Sequence, residues 1–475
     1  MSVEGADIAF ADTPAGRRAA GRDARAQAPR SGHADWQPAD RRPDPVRTLG
    51  LQARGRVLDL LPLRYGRMRA SPFAFFRGAA AIMAADLRDT PASGLHVQLC
   101  GDAHLANFGT YNSPERSEVF DITDFDETLM GPWEWDVKRL AASVCIAGRD
   151  RRFSRSEIAA AVLQTVAAYR LSMRAFARQG NLEVWYRHLD VDHISELSAD
   201  GFGRKRMRAL ERQLEKLRRD TSVTELEKLT EKFDGAVRFR SDPPDLVPVE
   251  EPVGDPIDAA AAQANILALL RDYRAGLSDE RRTLIDGYRY VAAARKVVGV
   301  GSVGTRDWVI LLHGRDGVDP LLLQVKEAGP SVLERYLPAP AGGTHSQRVV
   351  AGQRLMQASG DTFLGAVTAR GPDGGTRGRR RDYYVRQLAD GKGSIDVAKL
   401  SPGGLAAYGH LCAWTLARAH ARAGDRIAIA GYLGGGDVFD DAIAAFAKRY
   451  ADQNEADHAA LERAIDDGRV QATDG

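Results

Sequence analysis

Apolar and polar residues alternate over positions 95–99 (LHVQL), the period-two pattern of a half-buried strand, and positions 118–122 (EVFDI) read as the next strand. Residues 72–87 (PFAFFRGAAAIMAADL) carry apolar side chains at helical spacing and are predicted to pack as one helix beneath this pair. From Trp133 to about Tyr290 the pattern is helical. Ser154 and Glu157 have the three-residue spacing of a capping box, residues 203–232 mix charges at the spacing of a solvated helix face, and 259–274 resume a helix. Pro243, Pro244, Pro248, Pro252 and Pro256 mark a surface crossing between them. After Tyr290 the texture changes. Strands are predicted over 308–312 (WVILL), 321–326 (LLLQVK) and 383–388 (YYVRQL), helices over 346–358, 404–423 and 440–465, and a flexible connector at 389–393 (ADGKG). Residues 1–45 hold few large apolar side chains and are expected to be a disordered leader, with order beginning near Arg47.

Composition narrows the class. A chain of 475 residues is long enough for about two to four domains or lobes. Its 66 Lys and Arg against 64 Asp and Glu leave a formal charge of +2, so no bulk electrostatic case exists for nucleic acid. Cys100, Cys145 and Cys412 form no CxxC pair, which argues against a zinc site or disulfide framework and for a reducing cytoplasm. No apolar run approaches the ~18 residues that a membrane span needs, and the acidic N-terminal residues Asp7 and Asp12 do not fit a secretory signal. A cytoplasmic protein is expected.

The chemistry is concentrated in two places. Gly101-Asp102-Ala103-His104-Leu105-Ala106-Asn107 sets an Asp and an Asn five residues apart, and Asp124-Phe125-Asp126 follows. Phosphoryl transfer from a nucleotide needs such a set: one carboxylate to orient the attacking hydroxyl, and an Asn with a second carboxylate to hold magnesium. The expected arrangement is strand, loop, strand and acid in one hairpin. The second place is Gly299, Gly301, Ser302 and Gly304, followed by a strand rather than by the helix of a dinucleotide fingerprint. That context favours a glycine loop folding over phosphates, with Lys326 on the partner strand reaching them; taken alone, Lys326 reads sooner as a strand-end surface lysine. GDxH also opens two-metal phosphoesterase sites, but no further His-rich motif accompanies His104, which is read as bracing the loop.

CGDAHLAN, TDFDET and GPWEWDVKRLA resemble, in that order, the catalytic motifs of aminoglycoside phosphotransferases and choline kinases. From about Arg47 to Leu461 the chain also resembles the uncharacterised DUF2252 family, through FAFFRGAAAIMAADL, LCGDAHLANFG, DFDETLMGPWEWDVKRLA, VVGVGSVGTR, LLLQVKEA and YADQNEADHAAL. The resemblance implies a two-lobed, protein-kinase-like α+β fold using ATP and Mg²⁺. Asp102 matches the catalytic base, Asn107 and Asp124 the magnesium ligands, and Asp136 an acid that braces the catalytic loop. Asp126 stands where protein kinases have the glycine of DFG. Gly299, Gly301, Ser302 and Gly304 match the phosphate loop and Lys326 the phosphate lysine. In an ordinary kinase the glycine loop precedes the catalytic loop; here it follows, which implies a circular permutation. Residues 416–424 (LARAHARAG) must then return to pack beside 95–107. The implied units are a leader (1–45), catalytic loop and helical lobe (46–283), glycine-loop lobe (284–392) and returning helices (393–475). Cys100 replaces the usual His, and Ala351 stands where the helix after Lys326 is expected to supply a pairing Glu, with Glu327 and Glu334 as nearby substitutes. The expected function is phosphorylation of a hydroxyl on a small-molecule acceptor. The alternatives are a nucleotide-binding pseudokinase without turnover and a nucleotidyltransferase. The acceptor itself is not legible.

Overall fold

The computed structural model describes residues 13–191, 194, 222–233, 236–251, 259–297, 299–340, 342–371, 380–388 and 393–473. The charged stretch as far as residue 221, Pro252, Pro256 and the connector at 389–392 lie outside the described residues.

The leader is folded from Pro14 onward, contrary to the disorder expected over 1–45. Helix α1 (Pro14–Gln27) lies against the late helix Arg426–Leu433, with Gly21 so close that a Cβ there would meet the Ala428 carbonyl. Arg17 makes a fork onto Asp425 (2.8 and 2.7 Å), while Arg25 and Arg30 donate to the carbonyls of Tyr432 and Leu433 at 2.8 and 2.7 Å. Small residues and arginine donors at a helix C-terminus do here what large apolar side chains usually do, which is why the composition misleads. Beyond the leader come α2 (Pro45–Gln52), α3 (Leu61–Arg69), α4 (Pro72–Gly78) and α5 (Ala80–Leu87). The last two were predicted as one helix; the chain breaks at Ala79, whose φ and ψ of −108° and 25° leave the helical range.

Next in order are β1 (His96–Leu99), β2 (Phe108–Asn112), β3 (Glu118–Ile122) and β4 (Leu129–Pro132). The expected single hairpin is instead two ladders: β1 pairs antiparallel with β4, and β3 pairs with β2, a strand directly after Asn107. Helices α6 (Glu134–Asp150), α7 (Arg155–Phe176) and α8 (Asn181–Tyr186) follow, and the Ser154–Glu157 capping box is present.

The region up to Tyr290 is less helical than its pattern. It holds α9 (Ser222–Leu229), β5 (Thr230–Phe233), β6 (Ala236–Phe239), β7 (Leu246–Pro248), α10 (Ala259–Ala275) and α11 (Asp279–Ile285). Then come β8 (Arg289–Lys296), β9 (Asp307–His313), β10 (Pro320–Glu327), α12 (His345–Met356), β11 (Gly365–Arg370) and β12 (Arg380–Gln387). Six of these strands form one antiparallel sheet in the order β11-β12-β10-β9-β8-β7. Pro248 is tolerated because β7 is an edge strand, where a missing N–H breaks no ladder. Ile266, Leu269 and Tyr273 of α10 cover one face of the sheet, and Leu229 and Phe239 the other. Burial on both faces explains why Leu321–Val325 of β10 is apolar but for Gln324 rather than alternating.

Helices α13 (Pro402–Ala423), α14 (Arg426–Leu433) and α15 (Val438–Asp466) complete the chain. They join α6 and α7 around Trp133, which stacks on Tyr169 with centroids 5.6 Å apart and also meets Tyr432 and Phe439. Helix α13 returns beside the first ladder. The Tyr408 hydroxyl is 2.9 Å from the carbonyl oxygens of both Leu105 and Phe108, and Gly424 lies against Val97. Among the described residues no helix is long and apolar enough to cross a membrane.

Candidate active site

The loop between β1 and β2 carries Asp102, His104 and Asn107. Gly101 opens it at φ 84°, a left-handed conformation, and a Cβ there would strike the Glu127 carbonyl. One face of α6 holds the loop. Asp136 accepts from the backbone N–H of Cys100 (2.8 Å) and Gly101 (3.1 Å), and Ser143 Oγ accepts from that of Leu105 (3.2 Å). Arg139 brings both Nε (2.8 Å) and Nη2 (2.7 Å) to Oδ1 of Asp102. Spacings of three and four residues place these side chains on one helix face, so Arg139 was legible from periodicity once Asp136 was singled out. Asp136 also lies 3.2 Å from Nε2 of His420 on α13, and it brackets the loop from behind rather than lining the cleft.

Arg139 uses only one oxygen of Asp102, so Oδ2 remains toward the cleft, 3.7 Å from Nε2 of His104. Burial pushes the Asp102 carboxyl up to about 6, against the pull of Arg139. His104 is buried; burial, then Arg139 and Arg77, hold its imidazole neutral. The Asn107 amide donates to the Asp102 carbonyl at 2.9 Å, which commits its nitrogen and leaves its oxygen as a hard acceptor.

Asp124 and Asp126 follow β3. The Asp126 N–H donates to Asp124 Oδ1 at 3.0 Å. Burial raises the Asp124 carboxyl, but Lys326 and then Arg386 outweigh it and hold it at about 2. Lys326 projects from β10 into this pair: it forms an ion pair with Asp126 and lies 3.7 Å from Asp124 Oδ2. Tyr384, its cross-strand neighbour on β12, donates to Asp126 Oδ1 at 2.8 Å. Lys326 is therefore no surface lysine, being 3% exposed.

Its partner is not the one anticipated. Ala351 is exposed on the outer face of α12 and is not a vacant lysine-pairing position. Glu327 pairs instead with Arg306 (3.1 Å) and Arg381 (3.0 Å), and Glu334 caps the turn at Ser331 and lies 3.5 Å from Arg348. The DFD acids supply the counter-charge to the lysine themselves. Glu127, pushed by burial to about 7, takes the Val332 N–H at 2.7 Å.

The glycine loop joins β8 to β9 as expected, and Gly299, Gly301 and Ser302 line the same cleft, of about 1160 Å³, as Asp102, Asn107, Asp124 and Lys326. Gly304 does not line it. With φ 88°, Gly304 makes room for the stem of Arg56, whose side chain lies 3.0 Å from where a Cβ would be. The loop is held by residues that the sequence does not single out: Val57 N–H and Arg56 Nη1 donate to the carbonyls of Gly304 (2.7 Å) and Val303 (2.5 Å), and Arg67 to that of Gly299 (2.9 Å). In an arginine-rich chain nothing local marks these positions.

The donor set suits magnesium. One carboxylate held ionised and one amide oxygen are the sparse protein ligands that ion takes, with waters and other oxygens completing its shell. Among the described residues no group of three or more His, Cys, Asp and Glu is placed to hold a metal ion, and magnesium bound with a nucleotide needs no such group.

A family model described as an uncharacterized protein conserved in bacteria, DUF2252, matches residues 56–464. No curated protein and no solved structure matches. With a match over most of its length, the chain belongs to the DUF2252 family.

Proposed function

We propose that this protein is a magnesium-dependent phosphotransferase that moves the terminal phosphoryl group of ATP to a hydroxyl of a small molecule. One observation carries the reading. Lys326 of β10 meets Asp124 and Asp126 at the wall of the cleft that also exposes Asp102 and Asn107, although the sheet and the catalytic loop are remote in sequence.

The acceptor O–H donates its proton to Oδ2 of Asp102 as its oxygen bonds to the γ-phosphorus, and the bond from that phosphorus to the β–γ bridging oxygen breaks to release ADP. Arg139 fixes the carboxylate through its other oxygen, while Asn107 and Asp124 are the residues to hold magnesium. The ion, when bound, neutralises charge that builds on the phosphate oxygens. Lys326 and the backbone of Gly299–Ser302 orient the donor, so the protein acts by positioning and charge complementarity. Kinase-like architecture belongs to this reading too: the sheet with its glycine loop and lysine is the nucleotide lobe, and the return of α13 to Leu105 and Phe108 supports a permuted chain order.

A nucleotide-binding protein without turnover is the second reading. It is favoured by the grip of Asp126 on Lys326, which occupies the cation that the phosphates need.

Thermal melting tests the site. ATP at about 100 times its dissociation constant should stabilise the fold by about 2.7 kcal/mol. That rise is expected to require Mg²⁺ in the wild type and to vanish in Asp124→Asn. Absence of any shift with millimolar ATP would remove both nucleotide readings.

A further inference from the structure

Arg56, Arg64 and Arg77 are three guanidinium groups brought together by α3, α4 and the turn before α3. Arg64 is completely buried; its Nη2 reaches Gln52 Oε1 (2.9 Å) and the Gly78 carbonyl (3.0 Å), and its Nε and Nη1 have no partner. Arg56 makes its side-chain bond to the Val303 carbonyl. Arg77 has a buried Nε without a partner. Among the described residues no carboxylate lies within ion-pair distance of any of the three, whereas Lys326, Arg139, Arg348 and Arg381 all have one.

Arg64 is buried without a counter-ion, which costs free energy that the fold does not recover from packing, whereas Arg56 and Arg77 are half-buried at the cleft. Burial, the first cause in each case, lowers the pKa of all three, and Arg56 lowers that of Arg64 further. Two of them face the same space: Arg56 and Arg77 line the cleft on the side of the glycine loop, and the Arg77 carbonyl is 3.1 Å from where a Cβ of Gly301 would stand. The acids that act on the two lie beyond ion-pair distance: Glu127, then Asp126 and Glu327, for Arg56, and Asp102 for Arg77. An anion bound here would sit between the glycine loop and Asp102, and planar guanidinium forks match the oxygens of a tetrahedral phosphate.

We infer that Arg56 and Arg77 form a phosphate-binding subsite of the cleft, separate from Lys326, backed by the charge of Arg64. Its occupant is either the terminal phosphate of the nucleotide or a phosphate already carried by the acceptor. The subsite stands on geometry alone; the choice between occupants rests on the phosphotransferase reading.

Calorimetric titration of the full chain with inorganic phosphate, without nucleotide, tests it. Wild type is expected to bind, Arg77→Gln and Arg56→Gln to bind at least about tenfold more weakly, as loss of a charge-assisted pair implies, and Asp124→Asn to retain binding. A wild type that does not bind phosphate, or an Arg77→Gln that binds it equally well, overturns the subsite. Arg77→Gln should melt no lower than wild type, because it removes an unpaired charge. Should it fail to fold, Arg77→Lys keeps the charge without the fork and is expected to bind phosphate more weakly. Titration with ATP and Mg²⁺ then assigns the occupant. Weaker ATP binding in Arg77→Gln places the nucleotide there. Unchanged ATP binding, with phosphate still binding to ATP-saturated wild type, places the acceptor there. If Asp124→Asn leaves Mg²⁺-dependent ATP melting intact while phosphate binding still needs Arg77, the phosphotransferase reading fails and the subsite stands.

Discussion

Replacing Asp102 with Asn is expected to cut turnover by about 10²–10⁴-fold, the usual contribution of a positioned general base, while ATP and Mg²⁺ still stabilise the fold. The asymmetry follows from geometry. Arg139 holds Oδ1, and Oδ2 is the lone-pair donor left to the cleft, so an amide there removes the base without emptying the nucleotide wall. The wild type should show an acid limb near pH 6, because burial raises the Asp102 carboxyl to about 6 and only its ionised form accepts a proton. Activity is thus full well above that value and falls as pH drops through it. The Asn variant should lose the limb along with the rate. Measuring kcat/KM against pH once an acceptor is found would show both effects. A variant with wild-type turnover would exclude Asp102 as the base.

Arg418→Met is expected to lower the stability of the fold by about 3–5 kcal/mol, the range for breaking a buried ion pair from one side. Arg418 on α13 meets Asp121 on β3 at 2.6 Å, with both side chains about 1% exposed. Once the arginine is gone, the carboxylate retains as partners the backbone N–H groups of Ile122 and Ala358, each at 2.8 Å, with the more distant charge of Arg422 in place of an ion pair. The pair ties the returning helix to the strand that leads into Asp124, so the variant should also weaken Mg²⁺-dependent ATP binding. Calorimetric melting would measure the loss. An unchanged midpoint would mean that α13 is anchored by packing alone.

Much of the site was visible in the one-dimensional pattern because its chemistry depends on short spacings. Asp102 and Asn107 share one loop, Asp124 and Asp126 share one turn, and Lys326 ends an apolar run whose burial on both faces made it a strand. Period alone located β9, β10, α12, α13 and α15 to within a few residues. Where period failed, another kind of packing had replaced it. Helix α1 docks through glycine and arginine rather than an apolar stripe, and β7 ends on a proline that only an edge position tolerates. The pairing of strands was also hidden. Hydrogen bonds join β1 to β4 and β2 to β3, and nothing in an alternating pattern says which strand takes which partner.

By itself, then, the sequence determined the chemical groups, their local spacing and the mixed α+β class, since these depend on residues a few positions apart. Only the tertiary structure decided which charges face each other: that Lys326 answers to Asp126 and not to Glu327 or Glu334, that Arg139 takes one oxygen of Asp102, and that Arg56 and Arg77 stand at the cleft beside the glycine loop. Those pairings join segments far apart in the chain. Electrostatic interaction falls with distance and rises with burial, and both are set only when the chain has closed on itself.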